Sequence, residues 1–463
     1  MKLLTISLLV ACCVFGQKQT RPEVPLPPAL NPDSSTPPAR AKSFGDLHWF
    51  EVFQDDELVK LVHTALDQNF DVLIAVNNVL QAQQQIRITS SQLFPQVNAG
   101  LTVSRGLTEP TTVLPAKLGG GATTTLYEFT GTASWEVDLW GRLRGQTRAA
   151  RETFLATQEN RNQVVASLVY NVVAAYLNLR ELDNELAIAK QTLANDQQSV
   201  DLTRLRMEGG VATMVDVRQA ESLAETAAHA IPLYEQQIRE QEDYINVLLG
   251  RDPGPVPRGK KITDESFVVS VPEGLPSSLL DRRPDIRMAE RELLAARAEV
   301  SAARALFFPA INLTSFGGAL SKALDTLFNP GTQLWSFAGS ALQPVFEGGR
   351  LRANYKLSRL QQEQAVLQYR KTLVEAFREV ADALISVQKQ KEARLQQQAL
   401  TETLRDESDL SLVRYQGGVT TFLETLNAES QYFSAQSALS QAQRDELLSV
   451  VQLYKALGGG WQE

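Results

Sequence analysis

The chain has 463 residues, which is enough for two or three ordinary domains or for one large repetitive one. Charged residues make up 21% of it and hydrophobic residues 43%, a balance that disfavours both a disordered chain and a polytopic helical membrane protein. The formal net charge of -8 disfavours a nucleic-acid partner, because phosphate binding requires a basic face.

The N-terminus has the pattern of a bacterial export signal. Lys2 precedes an apolar run of about ten residues, whereas a membrane-spanning helix needs roughly 20. The run ends in LVAC, which matches the lipobox of bacterial lipoproteins. The sequence therefore predicts a signal peptide over 1–11 and a lipid anchor on Cys12, followed by an extended segment over 12–54. An ordinary signal peptide with incidental cysteines is the alternative.

Residues that commonly bind metals are few and scattered. Both cysteines, Cys12 and Cys13, lie in this N-terminal segment, and the histidines His48, His63 and His229 are far apart in the chain. This arrangement shows no ligand spacing typical of a zinc site. We therefore expect no disulfide in the body of the chain, no metal site and no cofactor.

The rest of the chain consists of two copies of one unit. The stretch LRMEGGVATMVDVRQAES at 205–222 returns as VRYQGGVTTFLETLNAES at 413–430, at an offset of 208 residues. Further upstream the offset is 214 residues, as from Phe94 to Phe308. A duplication of this size indicates two structural units that pack against each other. The predicted divisions are a first repeat over 55–250, a linker over 251–276, a second repeat over 277–458 and a tail over 459–463.

Each copy has the same order of predicted elements. A helix runs from about Asp55 to Leu93 in the first copy and from about Ser277 to Phe307 in the second. Each ends at an FP pair, because the residue before a proline avoids the helical conformation. A β-hairpin follows, over 96–139 and over 310–347. The Pro- and Gly-rich stretch TEPTTVLPAKLGGG makes the first hairpin longer and reads as a loop.

A long helix follows each hairpin. Arg142–Met207 contains no glycine or proline except Gly145, and Arg350–Tyr415 contains neither. At 1.5 Å per residue each would form a rod of roughly 100 Å. The first rod has a coiled-coil seam with alternating spacings of three and four. Its members are Val165, Leu168, Val172, Ala175, Leu179, Leu182, Leu186, Ala189 and Leu193. Rods of this length have no globular core to rest on, so we expect them to pack on each other as a tube.

A Gly-Gly corner ends each long helix. Either residue of the pair Gly209-Gly210 can adopt the left-handed conformation that closes a helix. Thr213 and Asp216 then form the pattern of a capping box, and Thr421 and Glu424 repeat it. A second helix of about 35–40 residues follows each corner, by the helical pattern of the sequence. Each corner is therefore predicted to be the tip of a helical hairpin.

The predicted strands alternate apolar and polar residues, as in FTGTASWEVDL. A soluble sandwich would show the same alternation, but strands of about ten residues with this pattern also suit an outer-membrane barrel. Aromatic residues near the strand ends are typical of a membrane interface. They are Tyr127, Phe129, Trp135, Trp140, Trp335 and Phe346. Because the smallest such barrel has about eight strands, four strands predict that the chain oligomerises.

Motifs along the chain resemble those of the TolC-like outer-membrane efflux ducts, and most of all the lipidated branch that serves RND-type pumps. They include FPQVN, WEVDLWGRLR, LLDRRPDIRMAE, FFPAINLT and RYQGGVTTFLETLNAES, and the resemblance extends from Cys12 to Trp461. It implies an α+β membrane protein that forms a homotrimer. Each protomer would contribute four strands to a 12-stranded outer-membrane β-barrel. Its long antiparallel helical hairpins would form a periplasmic tunnel of about 100 Å.

The resemblance also implies roles for residues at the hairpin tips. In the family the tips form the periplasmic aperture and meet an adaptor protein. The corresponding residues here are Gly209, Gly210, Val211, Gly417, Gly418 and Val419. The lipidated branch closes the aperture with a leucine ring and an aspartate ring. Leu423 matches the leucine, but Asn427 replaces the aspartate and Ser430 replaces a common arginine, which implies a less charged gate. The nearby acids Asp216 and Glu424 would either give cation preference or cap their helices.

The expected function is therefore a passive exit duct, lipid-anchored in the outer membrane of a Gram-negative cell. The expected partners are two further copies of the chain, a periplasmic adaptor, an inner-membrane RND-type pump and outer-membrane lipid, with no nucleic acid. One alternative is a periplasmic coiled-coil lipoprotein that spaces the envelope layers, and another is a duct for secreted proteins. An enzyme is disfavoured, because the sequence contains no HExxH, GxSxG or P-loop pattern and no Cys/His cluster.

Overall fold

The structure is a computed structural model, and it describes residues 48–53, 55–108, 122–264 and 281–461. The signal peptide predicted over 1–11 and the lipid anchor predicted on Cys12 lie outside these residues. So does most of the loop TEPTTVLPAKLGGG.

The secondary structure follows the duplication. The first copy contains α1 (Trp49–Val52), α2 (Asp56–Gln68), α3 (Phe70–Ser91), β1 (Gln96–Thr108), β2 (Ala122–Val137), α4 (Arg142–Glu208) and α5 (Met214–Leu248). The second contains α6 (Pro284–Ala305), β3 (Ala310–Ser321), β4 (Gln333–Leu342), α7 (Arg350–Gln416) and α8 (Phe422–Ala456). The long helices α4 and α7 have 67 residues each, and α5 and α8 have 35 each. The two hairpins therefore have the same size, and the longer arm of each extends about 100 Å.

The single helix predicted over Asp55–Leu93 is wrong, because the chain breaks at Asn69. This residue is extended, with φ −63° and ψ 129°, and its side-chain oxygen accepts hydrogen bonds from the N–H groups of Asp71 and Val72. An asparagine in this position caps the helix that follows. Its amide group donates to the carbonyl oxygen of Leu248 at 2.9 Å, which holds the break against the end of α5.

The single helix predicted over Ser277–Phe307 in the second copy is also wrong, because the chain is extended at Arg283, with φ −70° and ψ 122°; α6 begins after it at Pro284 and ends at Ala305. Proline suits the first position of a helix because it has no N–H group to leave unpaired there. Ser277 itself lies outside the described residues.

The four strands form one antiparallel sheet in the order β1-β2-β3-β4. Residues directly opposite each other share a face, and the register places nine large apolar residues on one face of the sheet. They are Val97, Leu101, Val103, Tyr127, Phe129, Trp135, Leu313, Trp335 and Phe337. Trp335 is 83% exposed and Val97 is 76% exposed, so this face is exposed on the two edge strands of the protomer. The predicted alternation is confirmed over residues 129–137 of β2, whereas Phe316 and Leu320 of β3 and Leu334 and Leu342 of β4 lie on the opposite face.

The sheet has two free edges. Within the described residues, β1 pairs only with β2 and β4 only with β3. An edge strand presents a row of backbone N–H and C=O groups to whatever lies beside it.

The helices pack as two hairpins side by side. α4 packs on α5, α7 packs on α8, and the hairpins meet along α4 and α8. Six residues of the predicted seam of α4 are buried, with Val172, Leu179 and Ala189 fully covered, whereas Leu182, Leu186 and Leu193 are half-buried. Among the residues that the structure describes, no helix is both long and apolar enough to cross a lipid bilayer.

A hydrogen-bonded anchor fixes the segment after α5 to the middle of α4. The hydroxyl of Tyr176 donates to Asp55 Oδ2 and accepts from the N–H of Gly259, both at 2.8 Å. The same carboxylate oxygen accepts from the N–H of Lys260 at 3.0 Å. A Cβ atom on Gly259 would overlap the Asp55 carboxylate, so only glycine allows this approach. Burial and the bond to Asp55 raise the pKa of Tyr176, which keeps its hydroxyl protonated as a donor.

Candidate aperture at the hairpin tips

The first corner is closed by backbone hydrogen bonds around a left-handed glycine. Gly210 has φ 76°, whereas Gly209 is right-handed with φ −76°. The N–H of Val211 donates to the carbonyl oxygen of Arg206 at 2.8 Å, and that of Gly210 to Met207 at 2.9 Å. These two bonds are a Schellman motif, which satisfies carbonyl groups that the end of a helix leaves unpaired.

The second corner repeats this geometry. Gly418 has φ 74°, and Gly417 is right-handed with φ −72°. The N–H groups of Val419 and Gly418 donate, each at 3.0 Å, to the carbonyl oxygens of the residues five and three positions before them. Val211 and Val419 project from the two tips, 70% and 73% exposed. Each tip therefore presents an apolar side chain on a rigid turn.

The capping box predicted at the first tip is confirmed. The N–H of Thr213 donates to Asp216 Oδ2 at 2.7 Å, and the N–H of Asp216 donates to Thr213 Oγ1 at 3.3 Å. Asp216 therefore starts α5 with its carboxylate held in the cap.

The capping box predicted from Thr421 and Glu424 is wrong. The Thr421 side chain makes no capping hydrogen bond. Glu424 instead accepts from Thr420 Oγ1 at 2.5 Å and lies 3.5 Å from Arg414. Glutamate has one methylene more than the aspartate of the first tip, and its carboxylate is held by these two neighbours rather than by the helix start.

Leu423 and Asn427, two of the residues predicted to form the gate, lie on one exposed face of α8. Leu423 and Asn427 are one helical turn apart, so their side chains share a face, and Leu423 is 49% exposed. Asn427 and Ser430 are also exposed. Asp216 lies in the other hairpin, so the four predicted gate residues do not form one cluster within the protomer.

Sequence reasoning missed a contact between the two tips. The guanidinium of Arg206 in α4 lies 4.7 Å from the ring centroid of Tyr415 in α7, and its Nη1 donates to the carbonyl oxygen of Gln416 at 2.8 Å. Tyr415 packs edge-on against Phe422 at 5.2 Å between centroids. The sequence contains one weak indication of an interaction here, because an arginine occupies the equivalent position in both copies, Arg206 and Arg414.

The sequence profile described as "Outer membrane efflux protein" matches the chain over residues 61–251 and again over 275–459. The two matches coincide with the two copies of the duplicated unit. The chain belongs to the outer membrane efflux protein family.

Curated relatives and a solved structure agree with this assignment. The toluene efflux pump outer membrane protein TtgF of Pseudomonas putida is 37% identical over 421 residues, covering 90% of this chain and 86% of the relative. The cation efflux system protein CusC of Escherichia coli is 32% identical over 460 residues, covering 99% and 98%. The open-state crystal structure of the MtrE outer membrane channel of Neisseria gonorrhoeae superposes with a TM-score of 0.85 at 31% identity, covering 96% and 98%.

Two tryptophans of this outer membrane efflux protein join its strands to its helices. The indole N–H of Trp135 donates to the carbonyl oxygen of Leu93 at 3.0 Å, and that of Trp140 donates to Pro309 at 2.8 Å. Trp140 also stacks on Phe308 with 4.8 Å between ring centroids. Trp140 connects the first copy to the second where the sheet meets the helices, whereas Trp135 makes its contact within the first copy.

Charge at the tips of this efflux protein differs between the copies. Arg204 and Arg218 lie 2.6 and 2.7 Å from Glu221, and these hydrogen bonds lower the pKa of that carboxyl. The described residues contain no group of three or more His, Cys, Asp or Glu positioned to hold a metal ion. The described residues at the tips therefore show no constellation for metal chemistry.

Proposed function

We propose that this chain is the exit duct of a tripartite efflux system, through which small molecules pass from the periplasm to the exterior. The observation that carries this proposal is the joint presence of a four-stranded sheet with two free edges and two hairpins about 100 Å long. Neither part is complete in one chain. An inner-membrane partner supplies the energy, and the duct itself performs no chemistry.

The free edges support a closed trimer. Three copies contribute 12 strands, which exceeds the minimum of about eight for an outer-membrane barrel. Closure pairs β4 of one copy with β1 of the next and leaves no edge in the lipid. The face that carries Trp335 and Val97 then lies against lipid, which covers the apolar side chains that are exposed in the protomer.

The hairpin tips support a gated aperture and an adaptor contact. With three copies around one axis, Leu423 forms an apolar constriction and Asn427 a polar ring next to it. Val211 and Val419 supply exposed apolar side chains on rigid corners, and such residues suit the centre of a protein interface. The adaptor joins these tips to the inner-membrane pump. The names of the relatives give toluene and cations as cargo, so the proposal specifies a duct for small molecules and ions rather than one compound.

A measurement of particle mass in detergent, followed by planar-bilayer recordings, tests this function. We expect a particle of three chains and stable conductance steps. A monomer that remains monodisperse, or a trimer without conductance over many insertions, contradicts the duct. A coiled-coil spacer gives no conductance, so the same recordings separate the two functions.

We further propose that Cys12 carries the lipid anchor. Metabolic labelling with radioactive palmitate is expected to label the wild-type chain and the Cys13→Ser variant and not the Cys12→Ser variant. Equal labelling of both variants contradicts the anchor. The adjacent cysteine makes this a closely matched control.

A further inference from the structure

Two acidic side chains lie between the hairpins with unsatisfied oxygens. Asp196 of α4 is 2% exposed, and it lines a cleft together with Glu429 of α8. Asp196 Oδ2 and Glu429 Oε2 are both buried without a hydrogen-bond partner. An ionised oxygen that is removed from water needs a donor or a positive charge. The cleft therefore lacks a group that these two carboxylates require.

The protonation of the two acids reflects this lack. Burial raises the pKa of Asp196 from 3.8 to about 7. Burial, and then the charge of Asp196, raise the pKa of Glu429 from 4.5 to about 7. A cation placed between the carboxylates would favour their ionised forms and reverse both changes.

The duplicated unit shows what the second hairpin lacks. Glu221, which lies 208 residues before Glu429, is paired with Arg204 at 2.6 Å and with Arg218 at 2.7 Å. The positions equivalent to these two arginines in the second copy are occupied by leucines, Leu412 and Leu426. The second hairpin thus has the acid but neither of the bases that neutralise its counterpart.

Another pair of buried acids in α4 receives its polar partners from the chain itself. Arg444 lies 3.4 Å from Glu181. Ser437 donates to Glu185 at 2.6 Å, and Tyr234 donates to it at 3.2 Å. Buried carboxylates in these hairpins can therefore receive partners from within the chain. The pair of Asp196 and Glu429 differs, because Asp196 Oδ2 and Glu429 Oε2 have no such partner among the described residues.

The cleft has room for a small molecule. Its volume is about 500 Å³, between α4, α7 and α8, and pockets for organic ligands span about 300–1,000 Å³. Tyr432 and Phe433 contribute aromatic rings to its wall, and Asp409 contributes a third acid. The described residues that line it include no lysine, arginine or histidine.

Basic residues on the surrounding helices are engaged elsewhere. Lys190 of α4 pairs with Glu235 of α5 at 3.2 Å, and Arg414 of α7 lies 3.5 Å from Glu424. Arg405 of α7 lines a separate cavity. None of these bases lines the cleft, so a positive charge between the two acids would come from outside the described chain.

We propose that this cleft binds a small organic cation, such as an amidinium or ammonium compound, with its charge between Asp196 and Glu429 and its body against Tyr432 and Phe433. Charge-assisted hydrogen bonds satisfy the unpartnered carboxylate oxygens, and the aromatic faces attract the cation. The described residues contain no group of three or more His, Cys, Asp or Glu positioned to hold a metal ion, so the cleft favours an organic cation over a metal ion. The site adjoins the predicted gate, because Glu429 lies two residues after Asn427, but it does not depend on the proposed duct.

Calorimetric titration of the full-length protein in its natural assembly tests the site. Benzamidine carries an amidinium group, and benzamide is a neutral compound of nearly the same shape. At about pH 8 we expect benzamidine to bind at least about tenfold more tightly than benzamide. Its affinity falls by roughly tenfold at about pH 6, because the carboxylates must be ionised. Equal binding of the two compounds, or no binding of either, overturns the proposal.

Variants locate the site. Asp196→Asn and Glu429→Gln keep the shape of the side chains, and each is expected to weaken benzamidine binding by at least about tenfold. Asp201→Asn removes an exposed acid of the same helix and leaves binding unchanged. Leu412→Arg introduces into the second copy the arginine that the first copy has at position 204. We expect a folded trimer of this variant to show no binding of benzamidine. Unchanged binding in both the Asp196 and Glu429 variants rejects the site.

Discussion

The guanidinium of Arg206 lies 4.7 Å from the ring centroid of Tyr415, so the tip of the first hairpin is tied directly to the tip of the second. The hydrogen bond from Arg206 to Gln416, at 2.8 Å, fixes the direction of the guanidinium. Both interactions depend on the flat, forked shape of arginine.

The first prediction concerns this tie between the tips. Arg206→Ala removes a cation–π contact and a charge-assisted hydrogen bond, a loss of about 1–3 kcal/mol. We expect a higher open probability in planar bilayers than in the wild type. Arg206→Lys keeps the charge without the fork and is expected to fall between the two. Identical recordings for all three proteins would show that the tie does not restrain the aperture.

The second prediction concerns ion selectivity at Asn427. Asn427→Asp adds one carboxylate per chain next to Leu423, and three of them around one axis attract cations. The reversal potential in a salt gradient is expected to shift towards cation selectivity. Gln441→Glu makes the same chemical change about 21 Å further along α8 and serves as the control. An equal shift in both variants would argue against a ring at Asn427.

The third prediction concerns the pH dependence of stability. The folded chain holds protons on Asp196 and Glu429 up to about pH 7, whereas their ordinary pKa values are 3.8 and 4.5. Between about pH 4 and pH 7 the unfolded chain therefore binds fewer protons, and the free energy of unfolding falls as the pH rises. Above that window both states are ionised and the dependence ends.

The double variant Asp196→Asn with Glu429→Gln removes these two titrations. Its melting temperature is expected to change less than that of the wild type between about pH 5 and pH 8. Glu181, whose burial raises its pKa from 4.5 to about 7, remains in the variant and retains part of the slope. An undiminished slope in the double variant would place the proton-linked groups elsewhere.

The fourth prediction compares two glycines in the same backbone conformation. Gly250 and Gly210 have φ values of 69° and 76°, so alanine is strained at both. A Cβ on Gly250 would overlap the carbonyl oxygen of Gln68, whereas a Cβ on Gly210 meets nothing within 4 Å. Thermal denaturation is expected to show a small loss for Gly210→Ala, of about 1 kcal/mol, and a larger one for Gly250→Ala. Equal losses would mean that the backbone strain accounts for both.

The fifth prediction concerns the anchor at Tyr176. Tyr176→Phe removes one of the donors to the Asp55 carboxylate and leaves the N–H of Gly259 without its acceptor, at a cost of about 1–3 kcal/mol. We expect a lower melting temperature and faster proteolysis within 251–264. Tyr170→Phe, in the same helix, keeps the ring under Lys455 and is the control. Unchanged proteolysis in the Tyr176 variant would show that the segment is held by other contacts.

The repeat in the sequence predicts the two equal hairpins, because side chains that recur at one offset form the same elements twice. The Gly-Gly corners were predictable for the same reason, and their geometry agrees to within a few degrees of φ. The break at Asn69 was not, because it depends on a hydrogen bond to Leu248, which is remote in the chain. The helical pattern of the local sequence does not predict a contact with a residue that is remote in the chain.

At the tips, the sequence indicated which residues are present but not which ones meet. The contact of Arg206 with Tyr415 requires the two corners to lie side by side, and the repeat does not specify that. The cap at Thr421 failed for a local reason, because Glu424 reaches Thr420 and Arg414 instead. The pattern of a threonine followed three residues later by an acid predicts a capping box in both copies, and the neighbours that hold the acid decide whether it forms.

The two free edges of the sheet also determine how the protein can be made. Lipid offers no donors or acceptors to the backbone of β1 and β4, so a solitary chain has no stable way to enter the bilayer. The helices satisfy their own backbone groups and can fold beforehand in the periplasm. Insertion then becomes a concerted step of the proposed trimer, and its rate rises steeply with the concentration of newly exported chains.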